Sequence, residues 1–167
     1  MSRSLHPSSR IYESAEITPE TDVVLGENSW VGSQCFIHLK RLRLGRDSCV
    51  HAGARLIGGG VVSIGDRVSV GYNVVIASAT DTWQSGRRMS SCLPEAEREV
   101  IRGSVIINDD VFIGANSVLT VSRRCSTLII GRGAVIGALS FVDDWVPARV
   151  VGWGQPFREV AKRWEAK

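Results

Sequence analysis

The sequence predicts an all-β solenoid, in which short parallel strands stack as successive coils. Aliphatic residues recur six positions apart in groups of three, and the groups follow one another along the chain. Because one turn cannot bury a core alone, each unit of such a repeat covers the apolar face of its neighbour. The trios are Leu25-Val31-Ile37, Leu44-Val50-Leu56, Ile64-Val70-Ile76, Ile107-Ile113-Leu119 and Ile130-Ile136-Val142.

The residues between the aliphatic positions are small where a corner would be crowded. Glycine often follows the aliphatic residue, and a small or mid-sized residue often lies four positions after it, as in Gly26 with Ser29 and Gly114 with Ser117. A tight corner needs a residue that permits close backbone approach, and an inward corner position has little room. The six-residue period therefore has a steric cause.

Each trio of 18 residues should form one coil with three flat faces, so the repeat predicts about five coils over residues 23–147. The trios begin at 25, 44, 64, 107 and 130, and only the interval from 64 to 107 greatly exceeds one coil. The excess residues must leave the coil as a loop at about 80–103. Long loops on rigid scaffolds often carry function.

The segments outside the repeat are predicted to form simpler structures. Residues 1–22 should be a loosely structured lead-in that caps the open first coil, with a short strand at Arg10–Tyr12. Within the loop, the stretch that follows Pro94 favours a helical turn. Apolar residues at helical spacing predict a short C-terminal helix across the last coil, on the face formed by Phe157, Val160, Ala161 and Trp164.

Composition narrows the class of protein. The chain has 167 residues, of which 44% are hydrophobic, which predicts a single soluble domain, 1–167. It contains no apolar run of membrane-spanning length and no secretory signal, so a cytoplasmic location without membrane insertion is expected. A net charge of +3 and scattered basic residues do not favour nucleic acid. The four cysteines lack metal-ligand spacing.

Three segments resemble a known family. They are INDDVFIGANSV at 107–118, IGRGAVIGALSF at 130–141 and GQPFR at 154–158. The repeat resembles the hexapeptide acyltransferases, and residues 105–158 resemble the branch that contains maltose, galactoside and polysaccharide O-acetyltransferases. The resemblance implies a left-handed parallel β-helix, a homotrimer, and transfer of an acyl group from coenzyme A to a hydroxyl or amine in a cleft between subunits.

The resemblance also implies a catalytic histidine in the long loop, and this loop has none. A sugar hydroxyl needs a positioned base, whereas an amine with a pKa of about 8 is partly neutral at cellular pH. The absence favours an amino acceptor or a substitute base. Asp81, at the loop entrance, is the candidate base, and a solvated loop carboxylate is the alternative. Asn73 matches an asparagine placed against the acceptor, or is a corner residue; Trp83 and Arg87 are candidate acceptor-binding residues.

Cofactor-binding residues follow from the same resemblance. Ala115 and Ala138 match positions where the pantetheine arm of acetyl-CoA runs along the coils, and Ser140 lies in the same corner pattern. Arg158 matches a basic residue near the nucleotide phosphates, and Lys162 lies one turn later. Small residues are also needed simply to turn a corner, so both interpretations remain open for the alanines.

Several departures put the donor site in doubt. Asp143 and Asp144 replace a threonine and a lysine, Phe157 replaces a small alanine, and residues 122–126 are an apparent insertion. Acidic groups near a polyanion would repel it.

The histidines outside the loop give little support for metal chemistry. His38 and His51 occupy the glycine position of their hexads on different faces, so within one subunit they should not converge. The γ-class carbonic anhydrases, which share the fold, need three convergent histidines, so no metal is expected.

Two functions follow as hypotheses. The first is transfer of an acyl group, taken to be acetyl, from acetyl-CoA to an amino or hydroxyl group of a sugar or nucleotide-sugar in polysaccharide biosynthesis. The second is a non-catalytic β-helix scaffold or assembly subunit that has lost the loop histidine.

Overall fold

A computed structural model describes residues 3–163, which form a parallel β-helix of six complete coils and a partial seventh. The strands, by coil, are β1 (Arg3–Leu5), β2 (Arg10–Ile11), β3 (Glu16–Ile17); β4 (Asp22–Leu25), β5 (Trp30–Val31), β6 (Phe36–Ile37); β7 (Arg41–Leu44), β8 (Cys49–Val50), β9 (Arg55–Ile57); β10 (Val61–Ile64), β11 (Ser69–Val70), β12 (Val75–Ala77); β15 (Ser104–Ile107), β16 (Phe112–Ile113), β17 (Val118–Thr120); β18 (Thr127–Ile130), β19 (Val135–Ile136), β20 (Phe141–Val142); and β21 (Val150–Trp153), β22 (Arg158–Lys162). The loop adds β13 (Ala79–Asp81) and β14 (Val100–Arg102).

Three sheets form the three faces of the coil. Face 1 has the order β1-β4-β7-β10-β15-β18, face 2 has β2-β5-β8-β11-β16-β19-β21-β22, and face 3 has β3-β6-β9-β12-β17-β20. All neighbours are parallel except β22, which runs antiparallel to β21. The aliphatic residues that begin the trios stand in register, since Leu44 pairs with Leu25 and Ile64, and Ile107 pairs with Ile64 and Ile130. The predicted solenoid is confirmed.

The trios line the interior. All fifteen of their side chains are at most 2% exposed, and Val23, Leu42, Val62, Val105 and Leu128 add a second inward column on face 1. Full burial of one such side chain contributes roughly 1.5–3 kcal/mol. The core is therefore a continuous aliphatic column along the axis.

The faces meet at three edges. Edge 1 joins face 1 to face 2 and edge 2 joins face 2 to face 3, and each complete coil turns both with four residues, such as 26–29 and 114–117. A Cβ on Gly114 would come within 2.3 Å of the amide nitrogen of Ala138 in the next coil. This close approach explains why glycine is required there.

Edge 3 joins face 3 back to face 1, and its length varies. It consists of residues 38–40, 58–60, 78–103 and 121–126 in four successive coils. The predicted long loop leaves the fourth coil here and forms an antiparallel β13–β14 hairpin. Short 3₁₀ helices lie at Trp83–Ser85 and Glu95–Glu97, so the helical turn expected after Pro94 is confirmed.

Two expectations for the ends of the chain are wrong. The segment interpreted as a lead-in forms the first coil, with Ile11 and Ile17 packed against the core, so a count of five coils is too low. The C-terminal helix is instead strand β22, because the open edge of β21 offers backbone hydrogen-bond partners to the returning chain. Trp164, which was placed on that helix, lies outside the described residues. No helix within residues 3–163 is both long and apolar enough to cross a membrane.

Candidate functional site

The residues expected to form the site lie on two different edges. Asn73 and Ala138 are on edge 2, whereas Asp81, Trp83 and Arg87 belong to the loop on edge 3. A face is one hexad wide, on the order of 15–20 Å at 3.3 Å per residue. Within one chain, the loop residues Asp81, Trp83 and Arg87 do not meet the expected cofactor residues, whereas Asn73 shares their edge.

Edge 2 carries the small residues in a regular stack. The amide of Leu139 donates to the carbonyl of Ala115 at 3.0 Å, so Ala115 and Ala138 lie on successive layers of the same corner. Asn73 is exposed at this edge with a φ of 54°, and its Oδ1 lies directly over Gly53. Asn73 thus adopts the left-handed corner conformation that asparagine tolerates.

Ser140 is buried and fully engaged by the backbone. Its Oγ donates to the carbonyl of Gly137 at 2.6 Å and accepts from the amide of Gly154 at 3.3 Å. These bonds hold the corner between β19 and β20. The side chain is directed into the corner, where it stabilises the turn.

Only one of the two predicted phosphate-binding cations lies on edge 2. Trp153 lies over Gly137, the residue before Ala138 on this edge, and the exposed Arg158 pairs with Trp153 in the β21–β22 ladder. Lys162 pairs with Val150 at the other end of that ladder and forms an ion pair with Glu159 at 2.8 Å. The structure therefore places Arg158, but not Lys162, beside the alanine stack.

Asp81 is held by Arg98, a residue that no sequence motif marked as part of the site. Arg98 Nε and Nη2 donate to the two carboxylate oxygens of Asp81 at 3.1 and 2.7 Å, and the side chains are 12% and 15% exposed. The hydrogen bond to Asp81 raises the pKa of Arg98. A bidentate pair of this kind fixes geometry. It ties the start of the hairpin to the chain that enters β14.

Two residues of the loop, Trp83 and Arg87, differ in their surroundings. Trp83 is 75% exposed and begins the first 3₁₀ helix, which Thr82 caps by accepting from the amide of Gln84. Arg87 donates to the carbonyls of Ala96 and Arg98 at 3.3 and 3.2 Å. Trp83 is thus available for a ligand or a second subunit, whereas Arg87 closes the loop on itself.

The loop is also anchored to the preceding coil. Arg102 donates to the carbonyl of Gly58 at 2.7 Å and pairs with Glu95. In the sequence these groups are far apart, and only the stacking of edge 3 brings them together.

The two histidines occupy different edges, as expected. His38 lies on edge 3, with its Nδ1 3.0 Å from Glu20 Oε1. His51 lies on edge 2 between Trp30 and Tyr72, with ring centroids 4.9 and 4.6 Å away, and burial lowers its pKa. The pairing of His38 with Glu20 was missed because the first coil was not recognised. Ile11 and Ile17, six apart, are the signal that would have placed Glu20 one layer before His38.

Two of the departures from the family pattern lie on edge 3, away from the alanine stack. Asp143 and Asp144 are on edge 3, where Ser122 Oγ donates to the carbonyl of Asp143. Residues 122–126 form a small turn on the same edge. Phe157 packs against the core next to Gly152. Within one chain, the acidic pair therefore does not face Arg158. No cluster of three or more potential metal ligands is found among residues 3–163.

Comparisons with known proteins support an acyltransferase fold. The sequence matches no known family model. It is 29% identical over 108 residues to a dTDP-4-amino-4,6-dideoxy-D-glucose acyltransferase from Escherichia coli, a match that covers 65% of this chain and 54% of that protein. The chain thus spans about half the length of this curated relative.

Solved structures share the fold over most of the chain. AntD, an N-acyltransferase from Bacillus cereus in complex with dTDP and 3-hydroxybutyryl-CoA, superposes with a TM-score of 0.85 at 22% identity, over 97% of this chain and 83% of that one. A hexapeptide-repeat acetyltransferase from Vibrio cholerae gives 0.68 at 25% identity, over 84% and 73%.

The fold is the left-handed parallel β-helix that the resemblance implied, and the proteins that the comparisons match to this chain are named acyltransferases. The maltose and galactoside branch is not confirmed, since the relatives found here are an acyltransferase of a dTDP-amino sugar and an N-acyltransferase.

Proposed function

We propose that this protein transfers an acyl group from acyl-CoA to the amino group of a nucleotide-linked amino sugar. The observation that carries this proposal is the likeness, over 97% of the chain, to an N-acyltransferase that holds dTDP and an acyl-CoA. The sequence match to an acyltransferase of a dTDP-linked amino sugar supports the same acceptor class. Acetyl-CoA is the donor expected from the sequence.

The chemistry of the loop favours an amine over a hydroxyl. The hairpin contains no histidine, and the carboxylate of Asp81 is paired with Arg98. A neutral amine attacks a thioester without prior deprotonation, whereas a sugar hydroxyl depends on a strong positioned base. The proposed reaction is therefore N-acylation by direct attack.

Donor binding is proposed along edge 2. Ala115 is partly exposed and Ala138 is exposed, and their small side chains leave room for an extended pantetheine arm. Arg158, exposed at the end of this row, is suited to a phosphate because a guanidinium can bind it with two parallel hydrogen bonds. Asn73 lies on the same edge and is proposed to contact the acceptor.

A homotrimer is proposed because the two halves of the site lie on different edges of one chain. In a closed ring of identical subunits, edge 2 of one subunit can face the edge-3 loop of the next. Trp83, which is exposed on that loop, is available to contact a neighbour. The cleft between subunits would then hold donor and acceptor together.

Two measurements test the proposal. Thermal unfolding is measured with acetyl-CoA, free CoA and AMP. A ligand that binds only the folded protein should raise its free energy of unfolding by about 2.7 kcal/mol at one hundred times Kd. A thiol-release assay with dTDP-4-amino-4,6-dideoxyglucose should give turnover that its 4-hydroxy counterpart does not. Absence of any shift at millimolar acetyl-CoA would instead support the non-catalytic scaffold, which the missing loop histidine favours.

A further inference from the structure

Edge 2 carries two different kinds of side chain along its length. In the fifth and sixth coils its corners carry the alanine stack, which the proposed donor follows. The first four coils instead carry one ring each beside this edge, and we call these side chains the ring row: Tyr12, Trp30, His51 and Tyr72. Adjacent layers are about 4.8 Å apart, so the ring row extends over roughly 14 Å. The ring row and the alanine stack therefore lie end to end on one edge.

The two rows meet at Tyr72. The carbonyl of Tyr72 accepts from the amide of Asn116 at 2.9 Å. The carbonyl of Ala115 accepts in the same way from the amide of Leu139, one layer later, at 3.0 Å. Tyr72 therefore occupies the corner position of the alanines, one layer before them. Because Tyr72 is 55% exposed, a donor arm that follows the alanines ends against its ring, beside Asn73.

The members of the ring row contact one another in order. Trp30 lies edge-on to Tyr12 and to His51, with ring centroids 6.0 and 4.9 Å apart and interplanar angles of 63° and 81°. His51 is tilted against Tyr72, with ring centroids 4.6 Å apart. Tyr12 and Tyr72 are exposed, and Trp30 and His51 are partly exposed. Exposed rings of this kind are surfaces on which a nucleobase stacks.

An exposed cation lies on the same edge, in the layer between Trp30 and Asn73. Arg55 begins β9, and its Nη1 donates to the carbonyl of Gly53 at 3.5 Å. Among residues 3–163, no carboxylate pairs with Arg55. Asn73 Oδ1 also lies over Gly53. Arg55 and Asn73 thus reach the same corner from adjacent layers.

We propose that edge 2 of the first four coils binds the nucleoside diphosphate part of the acceptor. The base stacks on Trp30, the diphosphate accepts hydrogen bonds from Arg55, and the amino sugar lies at Asn73, where the donor arm ends. The order of ring, cation and amide along the edge matches the order of base, diphosphate and sugar in the acceptor. A guanidinium without a carboxylate partner is free to bind phosphate with two parallel hydrogen bonds. This inference rests on the proposed function and assigns the subsite that holds its nucleotide.

Coenzyme A also contains a nucleoside diphosphate, so two ligands have the required chemistry. Arg158, proposed to hold the phosphates of the donor, lies beyond the alanine stack at the other end of the edge. A donor bound there has its adenine far from Trp30. The affinity for dTDP should therefore be the same with and without saturating CoA. Competition between the two would assign the ring row to the adenine of CoA and would overturn the proposal.

The first test measures the dissociation constant of dTDP by isothermal titration calorimetry. Trp30→Ala should weaken binding about tenfold or more because base stacking is lost, and Trp30→Phe should restore most of the affinity. Trp145→Ala is the matched control, since Trp145 is an exposed tryptophan on edge 3. It should bind dTDP as the wild type does. A Trp30→Ala variant with wild-type affinity, or a wild type that does not bind dTDP, would overturn this inference.

The second test replaces Arg55 with Gln and uses Arg43→Gln as its control, because Arg43 is exposed in the same coil but on face 1. Arg55→Gln should weaken dTDP binding about tenfold and reduce its dependence on salt concentration, because a charged contact with phosphate is lost. Arg43→Gln should change neither quantity. If Arg55→Gln binds dTDP more weakly with an unaltered salt dependence, Arg55 does not contact the diphosphate.

Two further measurements separate this inference from its alternatives. Sedimentation should give Trp30→Ala the same mass as the wild type, whereas dissociation would show that the ring row is a contact between copies of the chain. Turnover of dTDP-4-amino-4,6-dideoxyglucose is then compared with dTDP binding. A wild type that binds dTDP through Trp30 and Arg55 without turnover would overturn the proposed function alone. An active wild type whose two variants bind dTDP equally well would overturn this inference alone.

Discussion

Edges 1 and 2 differ sharply from edge 3. In the six complete coils, edges 1 and 2 always turn in four residues, while edge 3 ranges from three residues at 58–60 to the excursion at 78–103. At edges 1 and 2, a Cβ added to Gly26 or Gly114 would come within 3 Å of the backbone of the next coil. Edge 3 tolerates insertions, whereas ion pairs between successive layers are found mostly on edge 1, as between Arg67 and Asp110. The comparison teaches that two edges specify the coil and the third is free to carry chemistry.

Removing the loop should separate fold from function most completely. Ser78 and Gly103 already bond to each other, with the Gly103 amide 2.8 Å from the Ser78 carbonyl. Replacing residues 79–102 with one glycine would give a three-residue edge like 58–60. Turnover should fall by 10³-fold or more because acceptor positioning is lost, while circular dichroism and the midpoint of thermal unfolding stay close to wild type. A variant that unfolds would show that the loop stabilises the coil.

Shortening a core side chain, in contrast to removing the loop, should destabilise the fold. Ile107→Ala removes a buried member of the aliphatic column and should lower the free energy of unfolding by about 2–5 kcal/mol. Ile106→Ala, on the outward side of the same strand, should cost less than about 1 kcal/mol. Urea denaturation of both variants checks the difference. Equal losses would contradict the assignment of inward and outward faces.

Asp81→Asn should loosen the hairpin without unfolding the coil. Loss of the bidentate pair with Arg98 should speed hydrogen exchange of the β13–β14 amides about tenfold. Glu97→Gln, in the exposed pair with Arg88, should change exchange little. If turnover falls more than a hundredfold while exchange is unaltered, Asp81 is a catalytic base and not a tie for the loop.

The smallest expected effect is the pH-dependent contribution of Asp110, on edge 1, to the free energy of unfolding. The hydrogen bond from Arg67, then that from Arg132, lowers the pKa of Asp110. Its contribution is present above its unfolded pKa of about 4 and is lost as the pH falls further. Asp110→Asn should reduce the free energy of unfolding by up to about 1 kcal/mol at pH 7 and by nothing near pH 2.

Asp47→Asn is the control for that titration. Asp47 has the same left-handed corner conformation, but its arginine is 3.7 Å away. Asp47→Asn should lower the free energy of unfolding at pH 7 by less than Asp110→Asn does in the same urea series, and an equal loss would show that the close pairing with Arg67 is not the cause.

The sequence predicted the coil well because its determinants are local. An aliphatic residue followed by glycine defines each hexad without reference to distant residues. The first coil was missed because its hexads lack glycine and carry hydroxyl and charged residues. The C-terminal helix was wrong because the spacing of Phe157, Val160 and Ala161 also fits a chain that pairs with the open edge of β21.

The site was harder to predict because its contacts join different layers. Asp81 with Arg98, Glu20 with His38, and Gly58 with Arg102 are 17, 18 and 44 residues apart. Such pairs depend on how the successive layers of edge 3 align. Insertions at this edge interrupt the six-residue repeat from which the alignment could be predicted. Ser140 is a case in which local sequence sufficed, since the small-residue position of its hexad is a buried corner in the structure.

Complementation between two inactive variants tests the shared site most directly. Ala138→Leu should block edge 2, and Ala148→Leu, at the equivalent corner position of edge 1, is its control. The two positions are equivalent because the amide nitrogen of Ala138 lies 2.3 Å from a Cβ built on Gly114, and that of Ala148 lies 2.3 Å from a Cβ built on Gly131. Mixed oligomers of Ala138→Leu with the loop-deleted chain should regain about a quarter of wild-type turnover, since one site in four would pair an intact edge 2 with an intact loop. Mixed oligomers that form but remain inactive would contradict a site built from two subunits.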